Sequence, residues 1–205
     1  MGSEEAGLLS RPMVVGMTGG IGCGKSTAAG FLAEAGIDVF EADTAAHEAI
    51  RPGGEAYDDV AEAFGQDILA GDGTIDRRAL GRVVFGCPSA MRLLNALVHP
   101  RVRERWEAWE ENVRQENRCG VVVIPLLYEA GYAVDWDAVL CVAASPDVVR
   151  ERLTQRGWTE EEIRQRLAAQ WPVEEKVRRA DAVSWNDGSL QELKARTLAA
   201  WRQVI

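Results

Sequence analysis

The stretch Met13–Thr27, MVVGMTGGIGCGKST, restricts the fold more than any other part of the chain. Its apolar opening, Met13-Val14-Val15-Gly16-Met17, has the composition of a strand buried on both faces of a parallel sheet. That run passes into Gly19-x-x-x-x-Gly24-Lys25-Ser26, and from Ser26 onward the residues suit a helix. Strand, glycine loop and helix in this order are the context in which the spacing holds phosphate. Gly19, Gly20, Gly22 and Gly24 permit positive φ and let backbone N–H groups approach an anion with no Cβ in the way. The following helix adds its unpaired N–H groups and the positive end of its dipole. Lys25 is spaced to reach β- and γ-phosphates, and the Ser26 hydroxyl to ligate Mg²⁺. A glycine-rich turn that merely precedes a lysine needs neither flank. With both flanks correct, the stretch reads as a nucleoside triphosphate site. Cys23, inside the loop, is either a small filler or a thiol whose pKa the helix N-terminus lowers.

A phosphate site sits oddly with a formal net charge of -9. That balance lacks the electrostatic footprint of a nucleic-acid or anionic-membrane binder, so neither is expected as a partner. It also makes the placement of arginines informative. The 205 residues suffice for one domain over residues 13–205 with a sizeable core. Cys23, Cys87, Cys119 and Cys141 are widely spaced with no C-x-x-C pair, which fits a reducing, cytoplasmic setting rather than zinc or a disulfide framework. Residues 1–12 have no apolar core and read as a disordered leader, not a signal peptide. No apolar run approaches the roughly 20 residues of a membrane span.

Along the chain, Gly36 stops the first helix and Ile37–Phe40 forms a second strand ending in Glu41-Ala42-Asp43. Carboxylates there sit on the edge where α/β sheets bind ligands. Asp43 is either a catalytic acid or the N-cap of a helix over Thr44–Arg51. From residue 52 to 118 the pattern is helical, longer than a simple crossover needs, and Pro100 is expected to break or kink its last helix. This insertion suggests a subdomain for the acceptor substrate. Arg77 and Arg78 there either hold phosphate or lie on a solvated face, and His99 is a capping, core or ligand histidine. Val121–Pro125 is the most apolar strand and is expected to be central; it leads into Leu126-Leu127-Tyr128-Glu129. A fourth strand, Ala138–Ala143, precedes Ser145-Pro146-Asp147, a helix start. Arg150, Arg152 and Arg156 follow, with Arg152 and Arg156 on one face. Gly157 interrupts, and Thr159–Glu162 opens a further helix with a capping box. Arginine-bearing helices joined at a glycine over residues 147–177 suggest a mobile lid. Ala182–Trp185 is a fifth strand and Ser189–Val204 a closing helix.

At this point the chain resembles the dephospho-coenzyme A kinase family. The stretches GMTGGIGCGKST, EADTAAHEAI, GDGTIDRRALGRVVF, LNALVHPRV, VVVIPLLYEAGY, RERLTQRGWTEEEIRQRLAAQ and NDGSL carry the likeness. The resemblance implies an α/β P-loop kinase fold: a parallel five-stranded sheet flanked by helices, a helical acceptor subdomain and a lid. It implies ATP and Mg²⁺, and transfer of the γ-phosphoryl group to the ribose 3′-hydroxyl of dephospho-coenzyme A, by a monomer or small homo-oligomer. Residue by residue, it implies nucleotide contacts at Gly20, Ile21, Gly22, Cys23, Gly24, Lys25, Ser26, Thr27 and Asn186, with Ser26 on the metal. Lys25, Arg152 and Arg156 match the cations over the phosphates, and Asp43 matches the base or metal partner. His47, Arg77, His99, Leu126, Leu127 and Glu129 match the acceptor side. The family commonly reads Asp-Ala-Asp and then Arg four residues on; here stand Glu41, Asp43 and His47. Another small P-loop kinase, acting on a nucleoside monophosphate or a metabolite hydroxyl, would share the P-loop and lid but would not need the pairing of Leu97-Val98-His99-Pro100 with Pro125–Glu129. A GTP-binding switch needs an Asn-Lys-x-Asp that the sequence does not contain.

Overall fold

The structure, a computed structural model, describes residues 12–84, 87–134 and 136–205. The leader expectation falls on residues of which 1–11 lie outside this description. Elements alternate as the sequence pattern requires. β1 (Val14–Gly19) leads through the glycine loop to α1 (Lys25–Glu34), and β2 (Asp38–Glu41) runs into α2 (Ala42–Ala49). There follow α3 (Tyr57–Phe64), a 3₁₀ turn at Gln66–Ile68, α4 (Arg77–Val84) and α5 (Pro88–Gln115). The chain returns through β3 (Gly120–Val123), β4 (Ala138–Ala143), α6 (Pro146–Gln155), α7 (Glu160–Ala168), α8 (Val173–Arg179), β5 (Ala182–Trp185) and α9 (Leu190–Val204). Two compact units result: the chain up to Phe40 with Glu110–Ile205, and Glu41–Trp109. Among the described residues no helix is long and apolar enough to cross a membrane.

The first unit carries a five-stranded sheet in the order β2-β3-β1-β4-β5. β1 pairs in parallel with β3, Val15 opposite Val121, and with β4, Met17 opposite Leu140; β4 pairs in parallel with β5. The middle strand is therefore β1, with β3 interior beside it rather than central. Apolarity alone does not separate the two, because β1, β3 and β4 are buried at every position. The core packs Ala28, Ala29 and Leu32 of α1, Val149 and Leu153 of α6, and Ala200 and Trp201 of α9 around the sheet residues Met17, Val121 and Leu140. The expected capping box forms at Thr159 with Glu162, and a second, not foreseen, forms at Ser189 with Glu192. Ser145 ends its segment as an N-cap residue but makes no side-chain cap.

The second unit builds its own core from Ala45, Ala49, Val60, Ile68, Leu80, Val98, Val102 and Trp106. An antiparallel bridge between Leu69 and Ile75 closes the turn around Gly71–Gly73. Two expectations are corrected here. Of the break or kink expected at Pro100, the break does not occur, since α5 continues through it. The lost hydrogen bond costs about 3 kcal/mol, which burial of Val98, Val102 and Trp106 in the same helix offsets. The second helix begins at Ala42 rather than Thr44, because Glu41 is the last extended residue (φ −101°, ψ 109°) and serves as N-cap. Asp43 lies inside the first turn, so the capping role drops out.

Candidate active site

In the first unit the glycine loop takes the shape its residues allow. Gly24, at φ 95°, is the N-cap of α1. A Cβ there would run into Asn186 Nδ2, so both conformation and space call for glycine. A Cβ on Gly19, at φ 151°, would collide with the Val142 carbonyl of the neighbouring strand. Lys25 folds back over the loop, its Nζ donating to the carbonyls of Gly19 (3.1 Å) and Gly20 (2.9 Å). Ser26 and Thr27 are exposed at the start of α1. Cys23 is buried, and burial pushes its thiol pKa up in spite of Lys25 nearby. The geometry therefore supports the filler reading over the reactive thiol.

Asn186 and Arg152 join this loop from far along the chain. Asn186, 5% exposed, donates from Nδ2 to the Cys23 carbonyl at 2.8 Å and accepts Arg152 Nη2 on Oδ1 at 3.1 Å. Arg152 Nη1 is buried with no hydrogen-bond partner. A buried guanidinium N–H left open beside a loop rich in backbone donors fits an anion. Arg156 stands exposed as the C-cap of α6, and Gly157, at φ 82°, turns the chain toward α7. Among the described residues no three His, Cys, Asp or Glu side chains come together in a metal-binding group.

The segment after β3 behaves differently from what its motif suggested. Leu127 is fully buried, and a Cβ on Gly16 would lie 2.8 Å from its Cδ1, so its side chain belongs to the core; Leu126 is 37% exposed. Glu129 Oε1 receives the fully buried Lys176 Nζ at 2.8 Å and the Trp171 N–H at 2.8 Å, while Oε2 is buried without a partner. Lys176 Nζ also donates to the Pro125 carbonyl at 2.7 Å, which accepts the Thr18 hydroxyl at 3.1 Å. Tyr128 stacks on Trp171 with ring centroids 6.0 Å apart, and Arg179 lies over Trp171 at 4.9 Å. Sequence reasoning missed Lys176, Trp171 and Thr18. A lysine in the run Glu174-Glu175-Lys176 carries no signal of burial.

In the second unit His47, Ile50, Arg51, Pro52, Thr74, Ile75 and Arg77 line an open cavity of ≈ 430 Å³. Arg77 Nη2 meets His47 Nε2 at 2.7 Å, so the imidazole nitrogen accepts and the ring is neutral. Burial, and then the Arg77 charge, hold the His47 pKa below its ordinary value. Arg77 opens α4, whose first amides are capped by Asp76 Oδ1 through Arg78 N (2.8 Å) and Ala79 N (3.2 Å). His99 lies inside α5, which rules out a capping role, and burial lowers its pKa as well. Asp43 is exposed two residues beyond the end of β2.

Residues 13–192 match the family model described as dephospho-CoA kinase. The chain is 44% identical to the dephospho-CoA kinase of Geobacillus kaustophilus over 93% of its own length and 96% of that protein's. With that of Streptomyces avermitilis it shares 42% over 93% of each. Among solved structures, a Thermus thermophilus protein superposes with a TM-score of 0.80 at 37% identity, covering 94% of this chain and 97% of that one. The dephospho-CoA kinase of Campylobacter jejuni superposes with a TM-score of 0.63 at 25% identity, with the same coverage.

Proposed function

The chain belongs to the dephospho-CoA kinase family, and on that premise we propose that it transfers the γ-phosphoryl group of ATP to the ribose 3′-hydroxyl of dephospho-coenzyme A, the last step of coenzyme A biosynthesis. The observation that carries the reading is the convergence of Lys25, Asn186 and Arg152 on one glycine loop, with a buried Arg152 N–H left to receive an anion. Phosphoryl transfer asks little covalent chemistry of a protein; it asks for in-line positioning and neutralisation of charge on the transferring group. The backbone N–H groups of Gly20–Lys25 other than that of Ile21, with Ser26 and Thr27, cradle the phosphates, and Lys25, Arg152 and Arg156 supply the cations.

Mg²⁺, which retains several waters and takes few protein ligands, would be held by the Ser26 hydroxyl and phosphate oxygens, and when bound supplies charge neutralisation there. Asp43 orients the acceptor hydroxyl and takes its proton. The cavity bearing Arg77 and neutral His47, with the insertion over residues 52–118, is the acceptor side, along with His99 and exposed Leu126. The helices over 147–177 act as a lid that keeps water from the donor phosphate. Four free thiols among the described residues support a reducing, cytoplasmic setting.

A product assay tests the proposal. Purified protein with ATP, Mg²⁺ and a panel of acceptors is expected to convert dephospho-coenzyme A to coenzyme A and to leave AMP largely untouched. Turnover of AMP as fast as that of dephospho-coenzyme A would reassign the protein to the nucleotide kinases.

A further inference from the structure

Gln170, two residues beyond the end of α7, makes a contact with the phosphate loop that none of these roles uses. Gln170 Oε1 accepts the Ile21 N–H at 3.0 Å. Its neighbour is pinned too, since the Trp171 N–H is held by Glu129 at 2.8 Å and that carboxylate by Lys176. Lys176 is itself bound to Pro125, which Thr18 of β1 also reaches. Gln170 is therefore presented to the loop from a fixed base.

The bond decides which way the carboxamide faces. A backbone N–H needs an acceptor, so the oxygen lies toward Ile21 and the amino group, on the same planar carbon, stands beside the rim of the loop. Among the described residues that amino group has no hydrogen-bond partner. Lys25 Nζ rests on the carbonyls of Gly19 and Gly20, immediately before Ile21. Lysine at this position addresses the β- and γ-phosphates, which assigns the Ile21 rim to that end of the site.

We propose that Gln170 is a phosphate-binding residue contributed by the lid: its oxygen holds the Ile21 amide, and its amino group donates to the terminal phosphate of ATP. The inference rests on ATP being the phosphoryl donor. A neutral side chain that both accepts and donates is required at such a place. A carboxylate of the same size would brace the loop equally well but would set a negative charge against the phosphate.

That contrast gives the experiment, with Gln170→Glu and Gln170→Met compared with wild type. Glutamate keeps the acceptor for Ile21 and loses the donor, whereas methionine keeps only length. Calorimetric binding of the β,γ-imido analogue of ATP with Mg²⁺ is expected to weaken about 10-fold or more in Gln170→Glu and about 3-fold in Gln170→Met. ADP is expected to lose less than the imido analogue in both, and KM for dephospho-coenzyme A to stay unchanged. Were Gln170 only a brace, glutamate would be the milder change; binding in Gln170→Glu equal to wild type, or better than in Gln170→Met, overturns the proposal. Thermal melts confirm folding. If Gln170→Glu does not fold, Gln170→Met decides, because equal losses for ADP and the imido analogue overturn the proposal and a selective loss of the imido analogue supports it. Wild-type protein that fails to bind the analogue refutes the ATP reading and this inference with it; wild-type binding with the reversed order of variants refutes the inference alone.

Discussion

Lys176→Met removes a fully buried ammonium while retaining an unbranched side chain of similar length. The packing change is therefore small, and what is lost is the partner of Glu129. Breaking a buried ion pair from one side costs about 3–5 kcal/mol, because the other charge stays behind uncompensated. Glu129 retains the Trp171 N–H at 2.8 Å, and its side chain is 14% exposed, which places the cost near the lower figure, about 3 kcal/mol. For a domain of this size each kcal/mol moves Tm by about 2–4 °C, so Lys176→Met is expected to melt about 6–12 °C lower. Glu129→Leu strands the ammonium on the Pro125 carbonyl alone and is expected to cost at least as much.

The double variant is the informative one. With both charges gone the desolvation penalty disappears as well, so Lys176→Met/Glu129→Leu is expected to be more stable than either single variant. Four melts followed by circular dichroism complete the cycle and return a coupling of about 1–3 kcal/mol. Strict additivity of the single variants, or a Lys176→Met protein that melts within about 2 °C of wild type, would refute the reasoning that the buried pair holds this segment.

Asp43→Asn is expected to slow phosphoryl transfer about 10²-fold or more while ATP still binds. As an exposed first-turn residue its stability cost is limited to the helix-dipole contribution of about 0.3–1 kcal/mol, and full turnover would remove it as the base. Tyr128, whose buried hydroxyl has no partner, has its pKa pushed up to about 12 by burial. Ultraviolet titration of the folded protein is expected to show one phenol ionising late, and Tyr128→Phe to abolish it. Because the folded pKa is the higher one, this group's contribution to stability is complete below about pH 10 and lost as pH rises toward 12. Completion of every tyrosine titration near pH 10 would contradict the burial argument.

The fold was legible where local chemistry and burial agree. The glycine loop, the five strands and the capping box at Thr159 announce themselves in residue type and spacing. Legibility failed where tertiary packing outvotes local preference. Pro100 reads as a helix breaker, yet α5 passes through it because the same helix buries Val98 and Trp106. Asp43 has the composition of a cap, but helical backbone starts one residue earlier. The helix over Val173–Arg179 went unseen because seven residues, five of them charged, show no apolar period. Its one fully buried residue is a lysine. Leu127 and Glu129 share a motif with exposed Leu126, and only the surrounding structure sends one into the core and the other to Lys176.

Asn186 and Cys23 are separated by 163 positions, yet one hydrogen bond joins them at the heart of the phosphate loop. The loop's sequence is therefore synthesised well before the residue that brackets it. β1 likewise awaits partners on both sides, since its neighbours β3 and β4 follow it by a hundred residues or more. Long-range parallel pairing of this kind is slow, since closure entropy is lost before the contacts form. A nascent chain thus carries the complete nucleotide motif long before it has a cradle for a nucleotide. The bracket on the loop arrives only with β5 and the turn that follows it.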